Sequence, residues 1–206
     1  MKPFQRNVFI AICLPVQAIL AGCTGGNDCS QPLSENLFSN PRFELDEHGK
    51  PRQWSSTQHA GTRAYRVTAE DGILTIGKFD EQAWFYIAQK VQIPDRVGQQ
   101  LRFSAEIKLD MTEDPGHAFR QGGGLSLAIR GGSGAGSNKV LLSSLLDHEP
   151  RLGKTDWAPV AVTVVVPPGA KTVTAGFLHQ ANGTLEVRNP GLHEVKESCV
   201  EQAIQQ

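Results

Sequence analysis

From Arg63 onward, apolar and polar positions alternate with a period of two, and turn residues interrupt the alternation every eight to twelve positions. Arg63 to Ala69 and Gly72 to Gly77 predict a hairpin closed by Glu70, Asp71 and Gly72. Phe85, Ile87, Gln89, Val91 and Ile93 form one side of a strand, with Tyr86, Ala88, Lys90 and Gln92 on the other. Leu101, Phe103, Ala105, Ile107 and Leu109 alternate with Arg102, Ser104, Glu106 and Lys108. The pattern returns at Leu125, Leu127 and Ile129, at Val160 to Val166, at Val173 to Phe177, and at Thr184 to Val195. Only Val140 to Leu146 and the tail after Val195 have helical character. About nine short antiparallel strands without intervening helices predict an all-β fold, a single-domain sandwich of the jelly-roll kind.

Composition narrows the class further. The 206 residues include 20 Lys and Arg against 21 Asp and Glu, and 39% are hydrophobic. Balanced charge and ordinary apolar content exclude a highly charged disordered chain. They also argue against nucleic acid as a partner, because such binding needs a cationic footprint to release phosphate counterions. The 21 Gly and 12 Pro suit a chain of many turns.

The first residues read as a targeting segment. Lys2 and Arg6 give a positive start, Val8 to Leu20 is apolar apart from Pro15 and Gln17, and Leu20-Ala21-Gly22-Cys23 closes the stretch. The apolar run is short for a membrane span of ~20 residues, and its flanks are those of a signal peptide. The four closing residues resemble the lipobox of bacterial lipoproteins. That resemblance implies cleavage before Cys23, acylation of Cys23 with palmitate-type chains, and a membrane anchor stable because several chains share it. With Thr24 next, it further implies sorting to the outer membrane, on its periplasmic or cell-surface side. The expected organisation is a signal peptide over residues 1–22, a lipidated tether over 23–35, a jelly-roll domain over 36–199 and a tail over 200–206.

Four cysteines fit export. Cys13 leaves with the signal and Cys23 takes the lipid, so Cys29 and Cys199 remain near opposite ends of the domain. In an oxidising compartment their simplest fate is a mutual disulfide. Two free thiols, or a bridge to a partner, are the alternatives. A bridge requires the first and last strands to lie side by side.

Asn36 to Glu44 (Asn-Leu-Phe-Ser-Asn-Pro-Arg-Phe-Glu), then Gly49 to Trp54, resemble the opening of galactose-binding-like jelly-roll carbohydrate-binding modules. Gln89 to Pro94 and Leu101 to Lys108 resemble their middle strands. Thr155 to Trp157, the valine strand, Pro167 to Ala170 and Gly183 to Leu192 resemble their closing strands. The likeness spans residues 36 to 195. It implies that Trp54 and Trp157 plug the sandwich ends, and that an Asp of the closing strand helps hold a structural calcium beside Glu44. Arg188 occupies that position here, and a guanidinium cannot ligate calcium. The expectation is therefore a Glu44–Arg188 ion pair joining the first and last strands, with no metal or other cofactor.

A sugar-binding surface needs aromatic faces for pyranose rings and polar groups for hydroxyls. With Phe85, Ile87 and Val91 facing the core, Trp84 and Tyr86 face outward, unless loops cover them. Glu106, Lys108 and Arg130 from other strands complete the predicted ligand-binding set. Gly122 to Gly124 and the glycine-rich stretch from Arg130 to Lys139 read as loops, since no Gly-Lys-Ser/Thr closes a phosphate loop. The six histidines show no zinc pattern, and no nucleophile elbow is present. Asp110, Glu113 and Asp114 read as a solvated turn, and Asn182-Gly183 as a hairpin turn. The sequence thus predicts no catalytic residues and a non-catalytic lipoprotein whose partners are a membrane and a polysaccharide. The alternative is an interaction or structural module docking a protein partner of an envelope or secretion assembly.

Overall fold

A computed structural model describes residues 32–116, 121–132, 138–145 and 151–196. Cys23, Cys29 and Cys199, with the lipidation and disulfide they bear on, lie outside the described residues, as do the leader and the tail. Eleven strands, and no helix, occur among the described residues: β1 (Ser55–Gln58), β2 (Tyr65–Glu70), β3 (Ile73–Lys78), β4 (Phe85–Gln92), β5 (Gln100–Thr112), β6 (Gly122–Gly131), β7 (Lys139–Leu145), β8 (Gly153–Lys154), β9 (Ala158–Val165), β10 (Ala170–Gln180) and β11 (Asn182–Val195).

They form two antiparallel sheets. The five-stranded sheet runs β1-β4-β10-β6-β7, and the six-stranded sheet runs β2-β3-β11-β5-β8, with β9 also pairing β5. Alternation fills the space between them. Leu101, Phe103, Ile107, Leu109 and Met111 of β5 face Ile87 of β4, Val173, Ala175 and Phe177 of β10, and Leu127 and Ile129 of β6, all at most 2% exposed. Burying each such large side chain contributes ~1.5–3 kcal/mol, which makes this seam the main source of stability.

The opening segment closes the sandwich. Trp54 packs within 5.1 Å of the Phe38 and Phe43 rings and 5.8 Å from Phe177, and its indole N–H donates to the Asn40 carbonyl at 2.8 Å. Asn40 in turn donates to the carbonyls of Glu44 and Arg52 and accepts from the Glu44 amide. The polar residues of this stretch therefore hold a turn, and its aromatics enter the core. The same segment runs beside the last strand: Leu33 and Leu37 donate to the carbonyls of Glu194 and Leu192. The first and last described segments are thus neighbours.

Three expectations need correction. Val140 to Leu145 is not helical; β7 covers Lys139–Leu145 as an edge strand, hydrogen-bonded along one side to β6. Gly122 to Gly124 are strand residues of β6, and Gly123 lies so close to β5 that a Cβ there would sit 2.6 Å from Met111 Sδ. Asn182-Gly183 is not a hairpin turn: β10 and β11 belong to different sheets, and the chain changes sheet at Ala181. The Asp71-Gly72 turn does form a hairpin, with both residues at positive φ, as the tight turn between β2 and β3 demands.

Candidate ligand-binding face

On β4 the inward positions are Phe85, Ile87 and Gln89, which leaves Tyr86, Ala88 and Lys90 on the outer face of the five-stranded sheet. Pairing through β10 to β6 extends these positions into rows. Tyr86 is level with Leu178 and Gly124, Ala88 with Gly176 and Ser126, Lys90 with Thr174 and Ala128, and Gln92 with Thr172 and Arg130. The middle row is built from the smallest side chains.

The Tyr86 hydroxyl hydrogen-bonds the Ser126 side chain, so the tyrosine spans β10 from β4 to β6. Gly176 stands on β10 between them without a side chain. A Cβ there would lie 2.1 Å from the Ile87 carbonyl oxygen. Burial pushes the Tyr86 phenol up to about 12, against the opposing effects of the Ser126 bond and the Arg130 charge. The phenol stays protonated, and Ser126 is 2% exposed although it belongs to the outward set. Tyr86 is therefore a half-buried ring with a fixed hydroxyl, an arrangement that loses little entropy when a ligand settles on it.

Trp84 precedes β4 and is also half-buried. Its carbonyl accepts from the His59 amide, and the His59 ring meets the indole edge-on at 6.2 Å. Gln58 holds the connection beyond β1 by donating to the Thr62 carbonyl at 2.7 Å. At the opposite end of the sheet, Arg130 Nη1 donates to the Asn138 carbonyl at 3.3 Å, and Lys90 is exposed. Trp84, Tyr86 and Arg130 thus share one face.

Glu106 and Lys108 do not join them. Both lie on β5, on the outer side of the six-stranded sheet, because residues that alternate alike can belong to different sheets. There Lys108 pairs with Glu186 at 2.8 Å, and Arg188 donates to Glu106 from Nε at 3.0 Å and Nη2 at 2.6 Å. The expected Glu44–Arg188 pair is not made. Glu44 pairs with Arg52 in the loop before β1, whereas Arg188 stands directly opposite Glu106 in the β5–β11 register. Trp157 is not an end plug either. It is half-buried on the outer side of this sheet, with the Arg188 guanidinium 4.4 Å from its ring centre. An open depression of about 380 Å³ lies beside the β11 bulge, lined by Arg102, Ser104, Glu106 and Asn189 among others. Its carboxylate is already engaged by Arg188 and by the Asn189 amide at 2.8 Å.

No family model and no curated protein matches the chain. Solved structures do match. A CBM4 carbohydrate-binding module superposes with a TM-score of 0.50 at 15% identity, covering 77% of this chain and 99% of the module. The shared fold is a jelly-roll β-sandwich. The enzymatically active domain of tailspike protein 4 from bacteriophage CBA120 gives a TM-score of 0.52 at 15% identity, covering 78% of this chain. This chain spans only 21% of that tailspike domain. Identity this low is a likeness of fold, and one sandwich serves many chemistries, so function rests on the site.

Ser126, Gly176 and Lys90 were not among the residues expected at the site from sequence. A signal for Ser126 existed, since inward Leu125, Leu127 and Ile129 leave Ser126 and Arg130 on the other face. Nothing local indicated that Tyr86 would bridge to it.

Proposed function

We propose that this protein is a non-catalytic lipoprotein of the outer membrane that binds a glycan across the outer face of its five-stranded sheet. One observation carries the binding reading: Tyr86, held by Ser126, and Trp84 place two aromatic rings beside a floor of Ala88 and Gly176. A pyranose ring needs such a flat aromatic surface with little projecting around it, and hydroxyls find partners in Thr174 and Lys90. The carbohydrate-binding modules that share the fold are consistent with this reading. A non-catalytic role is supported by the carboxylates near the β5 end, because Asp110 pairs with Lys154 and Asp114 with Lys78. The lipid anchor and the membrane location rest on Leu20-Ala21-Gly22-Cys23 and the apolar run before it. Protein docking is less well supported. The exposed large apolar residues among those described, Leu33, Leu45, Phe79, Val97, Val140 and Val165, come from separate stretches of the chain.

The test is a glycan-array screen of the mature chain beside a Trp84→Ala/Tyr86→Ala variant. Saturable binding that disappears in the variant is expected. Binding to no glycan, or binding that the variant retains, overturns the assignment of this face.

A further inference from the structure

The two sheets differ in how their charges are compensated. The five strands of the ligand-binding sheet contain no Asp or Glu, although acids outnumber bases in the whole chain by 21 to 20. They do contain Lys90, Arg130, Lys139 and Lys171, none of which has a carboxylate partner among the described residues. The six-stranded sheet carries charges of both signs and pairs four of its six cations: Lys108 with Glu186, Arg188 with Glu106, Lys154 with Asp110 and Lys78 with Asp114.

The uncompensated cations also share one end of their sheet. Arg130 is in the Gln92–Thr172 row, Lys171 adjoins that row, Lys139 faces Gly131 next to Arg130, and Lys90 lies one row nearer the aromatics. Lys90 and Arg130 are on different strands with β10 between them, about 12 Å apart by sheet spacing. Arg130 is bonded to the Asn138 carbonyl, near the β6–β7 connection and away from Lys90. The cations therefore do not converge on a single small anion. A line of separate charges next to aromatic rings fits a polymer with charge repeated along it.

Resting on the glycan-binding reading above, we infer that the ligand is an acidic polysaccharide, its sugar rings at the Trp84–Tyr86 end and its carboxylates at the Lys90–Arg130 end. Single-stranded nucleic acid also combines stacking with cations. The balanced charge of the chain and its export signal favour the polysaccharide.

The experiment uses the full chain purified in a neutral detergent. Polygalacturonate, alginate and hyaluronan are each compared with their methyl esters, which keep the rings and remove the charge. The double variant Lys90→Gln/Arg130→Gln is measured beside Lys108→Gln/Lys154→Gln, which alters only the opposite sheet. At least one acidic polymer is expected to bind about tenfold or more tightly than its ester, with the advantage shrinking as salt rises from about 0.05 to about 0.5 M. The first variant is expected to lose that advantage, binding acid and ester alike, and the second to keep it. Equal binding of acid and ester overturns this inference and leaves the glycan reading standing. Binding of no polysaccharide, acidic or neutral, defeats both. Equal affinity for an oligonucleotide or for polyglutamate overturns the inference as well, since the face then reads charge and not sugar.

Discussion

Arg188 of β11 stands directly opposite Glu106 of β5, gives that carboxylate two hydrogen bonds, and places its guanidinium carbon 4.4 Å from the centre of the Trp157 ring. Each partner engages another, so the charges of the trio are satisfied within the six-stranded sheet itself. The hydrogen bonds from Arg188 and then Asn189 hold the Glu106 carboxyl below its ordinary value. A depressed carboxylate stabilises the fold above the usual carboxylate range, and that contribution is lost as pH falls through it. Because the pair is about a third exposed, solvent screening limits it to less than ~1 kcal/mol. Urea unfolding of Glu106→Gln is expected to show a loss of that size at neutral pH and none in acid, with glycan binding intact. A loss of glycan binding contradicts the assignment of the site to the other sheet.

The step between the two sheets depends on Gly183. Its φ is +101°, and a Cβ there would lie 2.1 Å from the Asp110 carbonyl oxygen, a backbone atom that cannot rotate away. Gly183→Ala is expected to cost about 2 kcal/mol or more. Gly77→Ala, whose nearest neighbour is Thr184 Oγ1 at 3.7 Å, is expected to change stability by no more than ~0.5 kcal/mol. Equal effects from the two substitutions, measured by thermal unfolding, contradict this account of the crossover.

His179 gives the fold an acid limit. It is fully buried on β10, its Nε2 is 3.1 Å from the Gly183 carbonyl oxygen, and the Tyr65 ring meets it edge-on at 5.1 Å. Burial, with a smaller effect of the Lys78 charge, lowers its pKa to about 4. The unfolded chain therefore takes up a proton that the folded chain refuses. Stability is complete above the unfolded value near 6.5 and falls toward pH 4, by about 3 kcal/mol at most. A His179→Leu variant is expected to show a flatter decline between those values in urea titrations. An unchanged slope contradicts this role.

The neighbouring chain ends make a thiol measurement informative. Ser34 Oγ accepts from the Glu194 amide, and Leu33 donates to the Glu194 carbonyl, so the described residues nearest Cys29 and Cys199 in sequence lie side by side. We expect the mature chain to contain a Cys29–Cys199 bridge, with no thiol reacting in denaturant until a reductant is added. Such a bridge contributes at most ~5 kcal/mol. Two reactive thiols in protein purified without reductant contradict it.

Much of the fold was legible because half-buried strands write their faces into the sequence with a period of two. Leu101 to Leu109 and Phe85 to Val91 gave both strand and inward side, and Asp71-Gly72 gave its turn. Periodicity says nothing about which sheet a strand joins. Glu106 and Trp84 both fall at outward-alternating positions, yet they belong to opposite sides of the sandwich. Arg188 found Glu106 and not Glu44 for the same reason, since register between distant strands decided the pairing. Val140 to Leu146 misled because a short apolar run fits a helix or an edge strand, and only the exposed ladder of β6 settled it. At the site, Trp84 and Tyr86 were visible as outward aromatics. The Tyr86–Ser126 bond across Gly176 depends on three strands from distant parts of the chain, and no local pattern encodes it.

The most direct test of the central claim is amide chemical-shift mapping of the mature chain during titration with an oligosaccharide of the polymer that binds it best. The account predicts that shifts concentrate on β4, β10 and β6, that the Trp84 indole signal moves, and that the amides around Arg102, Glu106 and Asn189 stay still. Shifts confined to β5, β9 and β11, or an unperturbed Trp84, would contradict it.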